Sequence, residues 1–184
     1  MRELRPWPRL RRGLEHDYHI LKVRQDMVAD PRNGQEHPRV FIDCPDWVNV
    51  IGVTRDEQLI LIRQYRFGVS SVTLEIPGGV VDAGETPEHA AARELEEETG
   101  YVAERLVALG SVEANPALQP NRCHSFLALG CVKAHEGKQD EGEDIAVELH
   151  PRAAVPQLIL GGAITHSLVV VAFYLEHLRA SIPR

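Results

Sequence analysis

Three glutamates in the middle of the chain have the spacing of a metal site. Glu94, Glu97 and Glu98 lie at positions i, i+3 and i+4, so on an α-helix their carboxylates would share one face and repel one another by about 0.2–0.5 kcal/mol per pair. Carboxylate oxygens are the ligands that hard divalent cations prefer. The spacing therefore predicts a divalent-cation site, best suited to Mg²⁺. A solvated acidic surface helix is the competing interpretation of these three residues alone.

The residues on either side predict the helix that would position these carboxylates. Thr86 suits the N-cap, Pro87 the first helical position, and Gly100 the left-handed conformation that ends a helix. Strong helix formers (AAARELEEE) fill positions 90–98. The preceding glycine-rich loop would bring backbone groups close to an ion or a phosphate. The predicted core-facing side of the helix consists of Ala91, Ala92 and Leu95.

Composition restricts the functional classes. A hydrophobic fraction of 43% is typical of a soluble globular domain, and a net charge of −7 argues against a nucleic-acid partner. Apolar runs shorter than the ~20 residues of a membrane span argue against a membrane partner. Cys44, Cys123 and Cys131 lack metal-site spacing, which predicts reduced thiols in a cytoplasmic protein. The arginine-rich N-terminus lacks a signal-peptide apolar region and is expected to be frayed.

The patterning along the chain predicts an α/β protein. Strand-like segments precede and follow the acidic helix, and an apolar helix lies near the end of the chain. Mixed strands with one central and one C-terminal helix favour an α/β sandwich. The predicted strands are 18–28, 38–43, 47–53, 58–66, 72–76, 103–114, 124–133 and 143–150. The further predicted helices are 151–159 and 166–179.

The segment Gly79–Tyr101, GVVDAGETPEHAAARELEEETGY, resembles the Nudix box. Its pattern is a glycine, five residues, a glutamate, seven residues, then R-E-L-x-E-E-x-G and a bulky apolar residue. Every fixed position matches, and the one departure is aromatic Tyr101 where an aliphatic residue is more usual. The match favours a metal site over an acidic surface. It implies the Nudix fold, a mixed β-sheet sandwiched between helices.

Other segments resemble the ADP-ribose pyrophosphatase branch of that family. This branch implies Mg²⁺-dependent hydrolysis of the diphosphate bond of a nucleoside diphosphate sugar, with ADP-ribose as the expected substrate. The products would be a nucleoside monophosphate and a sugar phosphate. The segments are Gln64-Tyr65-Arg66, Leu74-Glu75-Ile76-Pro77-Gly78-Gly79, Pro116 sixteen residues after Gly100, Glu141 to Ile145 (E-x-E-D-I), and Gly162-Ala163-Ile164.

The resemblance implies a set of oxygen ligands for two or three Mg²⁺ ions, with Mn²⁺ as a candidate substitute. Mg²⁺ keeps several waters, so a short set of carboxylates and phosphate oxygens suffices. The expected metal ligands are the carbonyl of Gly78 and the carboxylates of Glu94, Glu97, Glu98 and Glu143.

The catalytic residues implied by the resemblance are Glu141, Glu97 and Arg93. Glu141 is the expected general base, which takes a proton from the attacking water. Arg93 is expected to orient the glutamates, since it can reach Glu97 four residues on. Glu85 is expected to hold the loop against the helix.

Four residues are candidates for substrate binding: Arg66, Glu75, Asn115 and Arg122. The guanidinium of Arg66 matches phosphate geometry, although an ion pair with a surface glutamate would also explain it. Glu75 either braces the box loop or contacts substrate. Asn115 and Arg122 belong to the segment NPALQPNRCH, which is similar to a family loop near the sugar or terminal phosphate. His124 in the same segment is expected to be a structural histidine.

The chain is expected to contain two parts. Residues 1–45 form an N-terminal antiparallel sheet extension, and residues 46–184 form the Nudix hydrolase domain. In the resembled branch the N-terminal sheet helps to form an intertwined homodimer whose site draws on both subunits, so a homodimer is expected here.

Three alternative functions remain open from the sequence. The enzyme could act on another sugar nucleotide, such as GDP-mannose or ADP-glucose. Isopentenyl-diphosphate isomerase shares the fold, but its cysteine motif has no convincing counterpart around Cys44, Cys123 or Cys131. A non-enzymatic Nudix-like nucleotide sensor is disfavoured, because the box is intact and the chain leaves no room for a DNA-binding domain.

Overall fold

The computed structural model describes residues 3–138, 142 and 144–181. The chain divides into two compact units. The first consists of Met1–Pro45 and Glu113–Asn121, and the second of Asp46–Val112 and Arg122–Arg184. Within the described ranges, the helices are too short or too polar to cross a membrane.

The first unit is built on a four-stranded antiparallel sheet centred on strand β3. One edge of β3 pairs along its whole length with β4, so β1 and β2 share the other edge. The chain passes from β1 to β2 through Gly13, where a Cβ atom would lie 1.9 Å from the carbonyl oxygen of Gln25. The strands are β1 (Arg9–Arg11), β2 (Glu15–Asp17), β3 (Lys22–Ala29) and β4 (Glu36–Asp43).

Two expectations for this region were wrong. The N-terminus is not frayed at Arg9–Arg11, because these residues pair with β3. The predicted strand over 18–28 begins only at Lys22, since His19 has a positive φ and a turn closes between Tyr18 and Leu21.

The second unit contains a seven-stranded mixed sheet. The order is β11-β6-β5-β10-β8, with β7 also paired to β6 and β9 to β10. Strands β5 and β10 are parallel, whereas β6 is antiparallel to β5, β7 and β11. The strands are β5 (Trp47–Thr54), β6 (Gln58–Arg66), β7 (Ser71–Glu75), β8 (Tyr101–Val102), β9 (Arg105–Glu113), β10 (Arg122–Lys133) and β11 (Ala146–Pro151).

Helices cover both faces of this sheet, so the predicted fold class is confirmed. Because side chains alternate along β5, Val48 and Val50 pack against helix α1, and Ile51 and Val53 pack against helix α3. Each cluster excludes water from one face and fixes one helix on the sheet. The helices are α1 (Pro87–Thr99), α2 (Val155–Leu160, after a 3₁₀ turn at Arg152–Ala154) and α3 (Ser167–Ser181).

Candidate metal and active site

Helix α1 begins and ends where the sequence predicts. The hydroxyl of Thr86 accepts a hydrogen bond from the backbone N–H of His89 at 3.3 Å, and Gly100 adopts φ 71° after the last turn. One detail of the buried face differs from expectation. Ala90 is buried and Ala92 is exposed, because the helix presents Ala90, Ala91 and Leu95 to the sheet.

The loop before α1 runs antiparallel along β5 as a short strand-like segment. Val50 N–H donates to the Pro77 carbonyl at 2.8 Å, and Val48 exchanges two bonds with Gly79 at 2.9 and 3.1 Å. Glycine is required at Gly78, because a Cβ atom there would lie 2.3 Å from the Val48 carbonyl oxygen. The backbone at Gly78 therefore lies closer to β5 than a residue with a side chain would permit.

The same loop contacts two of the box glutamates. Glu98 is only 3% exposed, and its Oε2 accepts a hydrogen bond from the Gly78 N–H at 2.8 Å. A Cβ atom on Gly79 would lie 2.4 Å from Oε1 of Glu94. Helix and loop thus meet at carboxylate oxygens, and the two glycines make this close approach possible.

Arg93 joins the loop to the other carboxylates. Its guanidinium donates to both oxygens of Glu85 at 3.1 and 3.0 Å and to the Val80 carbonyl at 3.0 Å. Its Nη1 also donates to Glu94 at 2.9 Å and to Glu97 at 3.0 Å. Hydrogen bonds to Glu85 first, and then to the other glutamates, outweigh burial and raise the pKa of Arg93 above its usual value. Arg93 therefore stays charged and fixes three carboxylates, with Glu97 among them as predicted.

The donor set fits a hard divalent cation. It consists of carboxylate oxygens on one helix beside a backbone loop, with neither sulfur nor imidazole among the predicted ligands. The last turn of α1 carries acidic residues and no basic one, the reverse of what the helix dipole favours. A cation from another element, Nζ of Lys133, donates to the Thr99 carbonyl at the end of the helix at 3.0 Å. Among the described residues, no three His, Cys, Asp or Glu side chains already converge on one metal position.

Arg66, which is partly exposed, forms an ion pair with the buried Glu75 on the neighbouring strand. Arg66 donates through Nε and Nη2 to the two oxygens of Glu75, both at 2.9 Å, and Thr73 Oγ1 donates to Oε1 at 2.7 Å. Burial alone would raise the pKa of the Glu75 carboxyl, but the bonds from Arg66 and Thr73 hold it below its ordinary value. Among the described contacts, the carboxylate that Arg66 meets therefore belongs to a glutamate that is 2% exposed and not to a surface one.

The structure places Asn115 and Arg122 in different compact units. The carbonyl of Asn115 accepts the N–H groups of Leu118 and Gln119, both at 3.0 Å, which closes a turn. Arg122 donates through Nε and Nη2 to the hydroxyl and carbonyl oxygens of Ser111, each at 3.1 Å. Both residues therefore have structural contacts that the sequence did not predict.

A NUDIX domain model matches residues 45–169. The chain belongs to the Nudix family. It is 36% identical over 117 residues to an ADP-ribose pyrophosphatase of Bacillus subtilis. The aligned segment covers 64% of this chain and 63% of the relative, so less than two thirds of that relative is matched. It is 35% identical over 130 residues to the methanol dehydrogenase activator of Bacillus methanolicus, covering 71% and 69%.

Two more distant comparisons cover more of the chain. An ADP-ribose pyrophosphatase of Mycobacterium tuberculosis is 27% identical over 165 residues, covering 88% of this chain and 79% of that one. A crystal structure of an ADP compounds hydrolase superposes with a TM-score of 0.85 at 25% identity and covers 98% of both chains. The predicted resemblance to the ADP-ribose pyrophosphatase branch is confirmed, and Nudix hydrolases generally use divalent metal ions.

Two site residues predicted for this Nudix protein, Glu141 and Glu143, lie outside the described residues. Sequence reasoning missed Thr73, although its place two residues before Glu75 puts both side chains on one face of β7. It also missed Asp46, whose Oδ1 accepts the Arg122 N–H at 2.8 Å and whose Oδ2 lies 2.9 Å from Nε2 of His124. That contact gives His124 a carboxylate partner, in keeping with its expected structural role.

Proposed function

We propose that this Nudix protein is a Mg²⁺-dependent hydrolase of ADP-ribose, which it cleaves at the diphosphate bond to a nucleoside monophosphate and a sugar phosphate. Two relatives named ADP-ribose pyrophosphatase support this substrate, and the solved structure named ADP compounds hydrolase supports the wider substrate class. The observation that carries the proposal is the contact between helix and loop, where the buried Glu98 carboxylate meets the Gly78 N–H beside Glu94 and Glu97.

Two or three Mg²⁺ ions would be held by Glu94, Glu97, Glu98, Glu143 and the Gly78 carbonyl, and Mn²⁺ would substitute. When bound, these ions would neutralise the diphosphate and make a bound water more acidic. The Gly78 carbonyl suits this role because its neighbours Pro77 and Gly79 use their bonds toward β5. In an extended segment the groups of Gly78 then point to the opposite side, where its N–H already meets Glu98.

The remaining residues position the reactants and move the proton. Arg93 holds Glu94 and Glu97 in place, and Glu85 fixes Arg93. Glu141 takes the proton from the attacking water as the general base. The water oxygen bonds to one phosphorus as the bond from that phosphorus to the bridging oxygen breaks. The other phosphate leaves with the bridging oxygen and the electron pair of the broken bond, a negative charge that bound Mg²⁺ would stabilise.

Arg66, Glu75, Asn115 and Arg122 are proposed to bind the substrate. The pair with Glu75 prevents Arg66 from rotating freely, so less entropy is lost when its guanidinium meets a phosphate. Since Ile60 packs in the cluster of the α1 face, the alternation along β6 places Arg66 on that face too. The residues of the metal site and this guanidinium then share one side of the sheet.

The protein is proposed to work in the cytoplasm as a homodimer with residues 1–45 in the interface and 46–184 as the hydrolase domain, without nucleic-acid or membrane partners. Several large apolar side chains of the first unit are highly exposed, which supports an interface that would cover them. They include Leu4, Leu14, Tyr18 and Ile20.

The test is product release from a panel of ADP-ribose, ADP-glucose and GDP-mannose with Mg²⁺, coupled to a phosphatase that acts only on the products. Glu141→Gln is run beside the wild-type protein. We expect ADP-ribose to give the highest kcat/KM and Glu141→Gln to lose activity. Preference for another sugar nucleotide would overturn the assignment of ADP-ribose as the substrate. Full activity in Glu141→Gln would overturn the assignment of Glu141 as the general base. Tight nucleotide binding without turnover would favour a sensor.

A further inference from the structure

The C-terminal end of helix α1 is capped by a distant segment of the chain. The last carbonyls of a helix lack partners within it. Here the carbonyl of Glu97 accepts the N–H of Lys138 at 2.8 Å, that of Thr99 accepts Nζ of Lys133 at 3.0 Å, and that of Gly100 accepts the N–H of Ala134 at 2.8 Å. We call residues 133–138 the helix clasp.

The fit between clasp and helix is tight at two glycines. A Cβ atom on Gly100 would lie 1.9 Å from the carbonyl oxygen of His135, and one on Gly137 would lie 2.9 Å from that of Glu97. Gly137 also has a φ of 90°, which L residues rarely adopt. His135 adds a contact to Glu96 at 3.1 Å, but both side chains are exposed, and exposed pairs contribute little. The hydrogen bonds to the carbonyls of Glu97, Thr99 and Gly100 therefore carry most of the connection.

The clasp also connects the helix to the central sheet. It continues directly from β10, whose last residues pair with β8 immediately after the helix, with Lys133 opposite Tyr101. Strand β10 is parallel to β5, and β5 holds the Pro77–Gly79 segment on its other edge. The last turn of α1 and the loop that meets Glu98 are thus both fixed against the same pair of strands.

We propose that the helix clasp positions Glu97 and Glu98 for metal binding by fixing the last turn of α1. Both glutamates lie in that turn, within two residues of Thr99, where the helix ends, and helix ends fray unless something outside the helix satisfies them. The described contacts of the clasp with the helix reach its last carbonyls, the Gly100 carbonyl and the Glu96 side chain, and none of the proposed ligand carboxylates, so its residues are positioning residues in this inference. The inference rests on the metal-binding role of Glu97 and Glu98 in the proposed function.

The test compares Gly137→Ala with Gly34→Ala. Both glycines have positive φ, 90° and 75°, but a Cβ atom on Gly34 meets nothing within 4 Å, so Gly34→Ala reproduces the backbone strain without the contact to Glu97. Hydrogen exchange of the amides at 97–101 is measured without metal, and Mn²⁺ binding is measured by electron paramagnetic resonance without substrate. Lys133→Met, which removes the Nζ donor, is measured in the same way in case Gly137→Ala fails to fold.

We expect Gly137→Ala to exchange faster at 97–101 and to bind Mn²⁺ about 10- to 100-fold more weakly, the usual cost of losing a group that supports metal ligands. Gly34→Ala should match the wild-type protein in both measurements, and Lys133→Met should change both in the same direction as Gly137→Ala. Wild-type exchange or Mn²⁺ affinity in folded Gly137→Ala would overturn the inference, as would wild-type values in Lys133→Met. A wild-type protein that binds Mn²⁺ but hydrolyses no sugar nucleotide would overturn the proposed function, and the inference would still be decided by binding and exchange.

Discussion

Arginine side chains form ion pairs with carboxylates both in the first unit and around helix α1. The two regions differ in the ratio of cationic to anionic side chains in these pairs. Around β3 the described ion pairs connect Arg9, Arg12, Lys22 and Arg24 with Glu15, Asp17, Asp26 and Asp43. Four cations meet four anions. Around α1 a single guanidinium, that of Arg93, forms the described ion pairs with Glu85, Glu94 and Glu97. The Glu98 carboxylate accepts a hydrogen bond from the uncharged backbone N–H of Gly78.

This difference separates a structural network from a site. The buried Asp26 carboxylate accepts a hydrogen bond from the Gly13 N–H at 2.9 Å. Its Oδ2 also lies 3.1 Å from Nε of Arg9 and 3.1 Å from Nε of Arg24, so its charge is compensated inside the protein. Around α1 the described ion pairs share one guanidinium among three carboxylates. This imbalance among the described ion pairs suits the divalent cations that the proposed function places there.

The largest effect is expected from Glu98→Gln, which should lower kcat by about a thousandfold with little loss of stability. A metal ligand supports several kcal/mol of transition-state stabilisation, and each 1.4 kcal/mol is tenfold in rate. Turnover of ADP-ribose at saturating Mg²⁺ measures the loss, with Glu88→Gln, an exposed residue of the same helix, as the control. Wild-type turnover in Glu98→Gln would contradict the proposed role of Glu98 as a metal ligand.

Arg24→Met should lower the free energy of unfolding by about 3 kcal/mol, because it leaves the buried Asp26 without one of its arginines. Urea denaturation monitored by circular dichroism measures it. Arg12→Met, which removes only the exposed pair with Glu15, should cost less than about 1 kcal/mol. Equal losses in the two variants would show that burial does not distinguish these pairs.

Arg93→Lys should reduce kcat about 10- to 100-fold, the range for groups that orient metal ligands. A lysine ammonium is a point charge and cannot donate to Glu85, Glu94 and Glu97 in the forked geometry of a guanidinium. Steady-state kinetics at several Mg²⁺ concentrations measure the change. Arg55→Lys, in an exposed pair with Glu104, serves as the control, and an equal effect in both variants would refute the orienting role.

The smallest effect concerns acid stability. Hydrogen bonds from Arg32 lower the pKa of Asp30 to about 2, below the unfolded value of about 3.9. A carboxyl with a lower pKa in the folded state stabilises the protein above its unfolded pKa, and this contribution is lost as the pH falls through about 2. Asp30→Asn should therefore flatten the decline in unfolding temperature between about pH 4 and pH 2. An unchanged slope would refute the contribution of Asp30.

Much of the fold could be predicted from local sequence. Thr86, Pro87 and Gly100 define the ends of α1 because caps act within one turn. The strands β5, β6 and β10 lie within two residues of the prediction, since each is a long run of strand-forming residues. The short strand β1 was missed because its arginines and prolines resemble a solvated terminus, and only its pairing with β3 makes it a strand.

The sequence by itself determined that three glutamates would share one helix beside a glycine loop, and that the chain would be a Nudix protein, because spacing and caps are local properties. Only the tertiary structure decided that Glu98 is buried against Gly78, that Arg93 is shared among three carboxylates, and that residues 133–138 cap the helix. These contacts join residues up to 41 positions apart, as between Lys138 and Glu97. They depend on the pairing of β5 with β10, strands far apart in the sequence, as at Trp47 and Cys123.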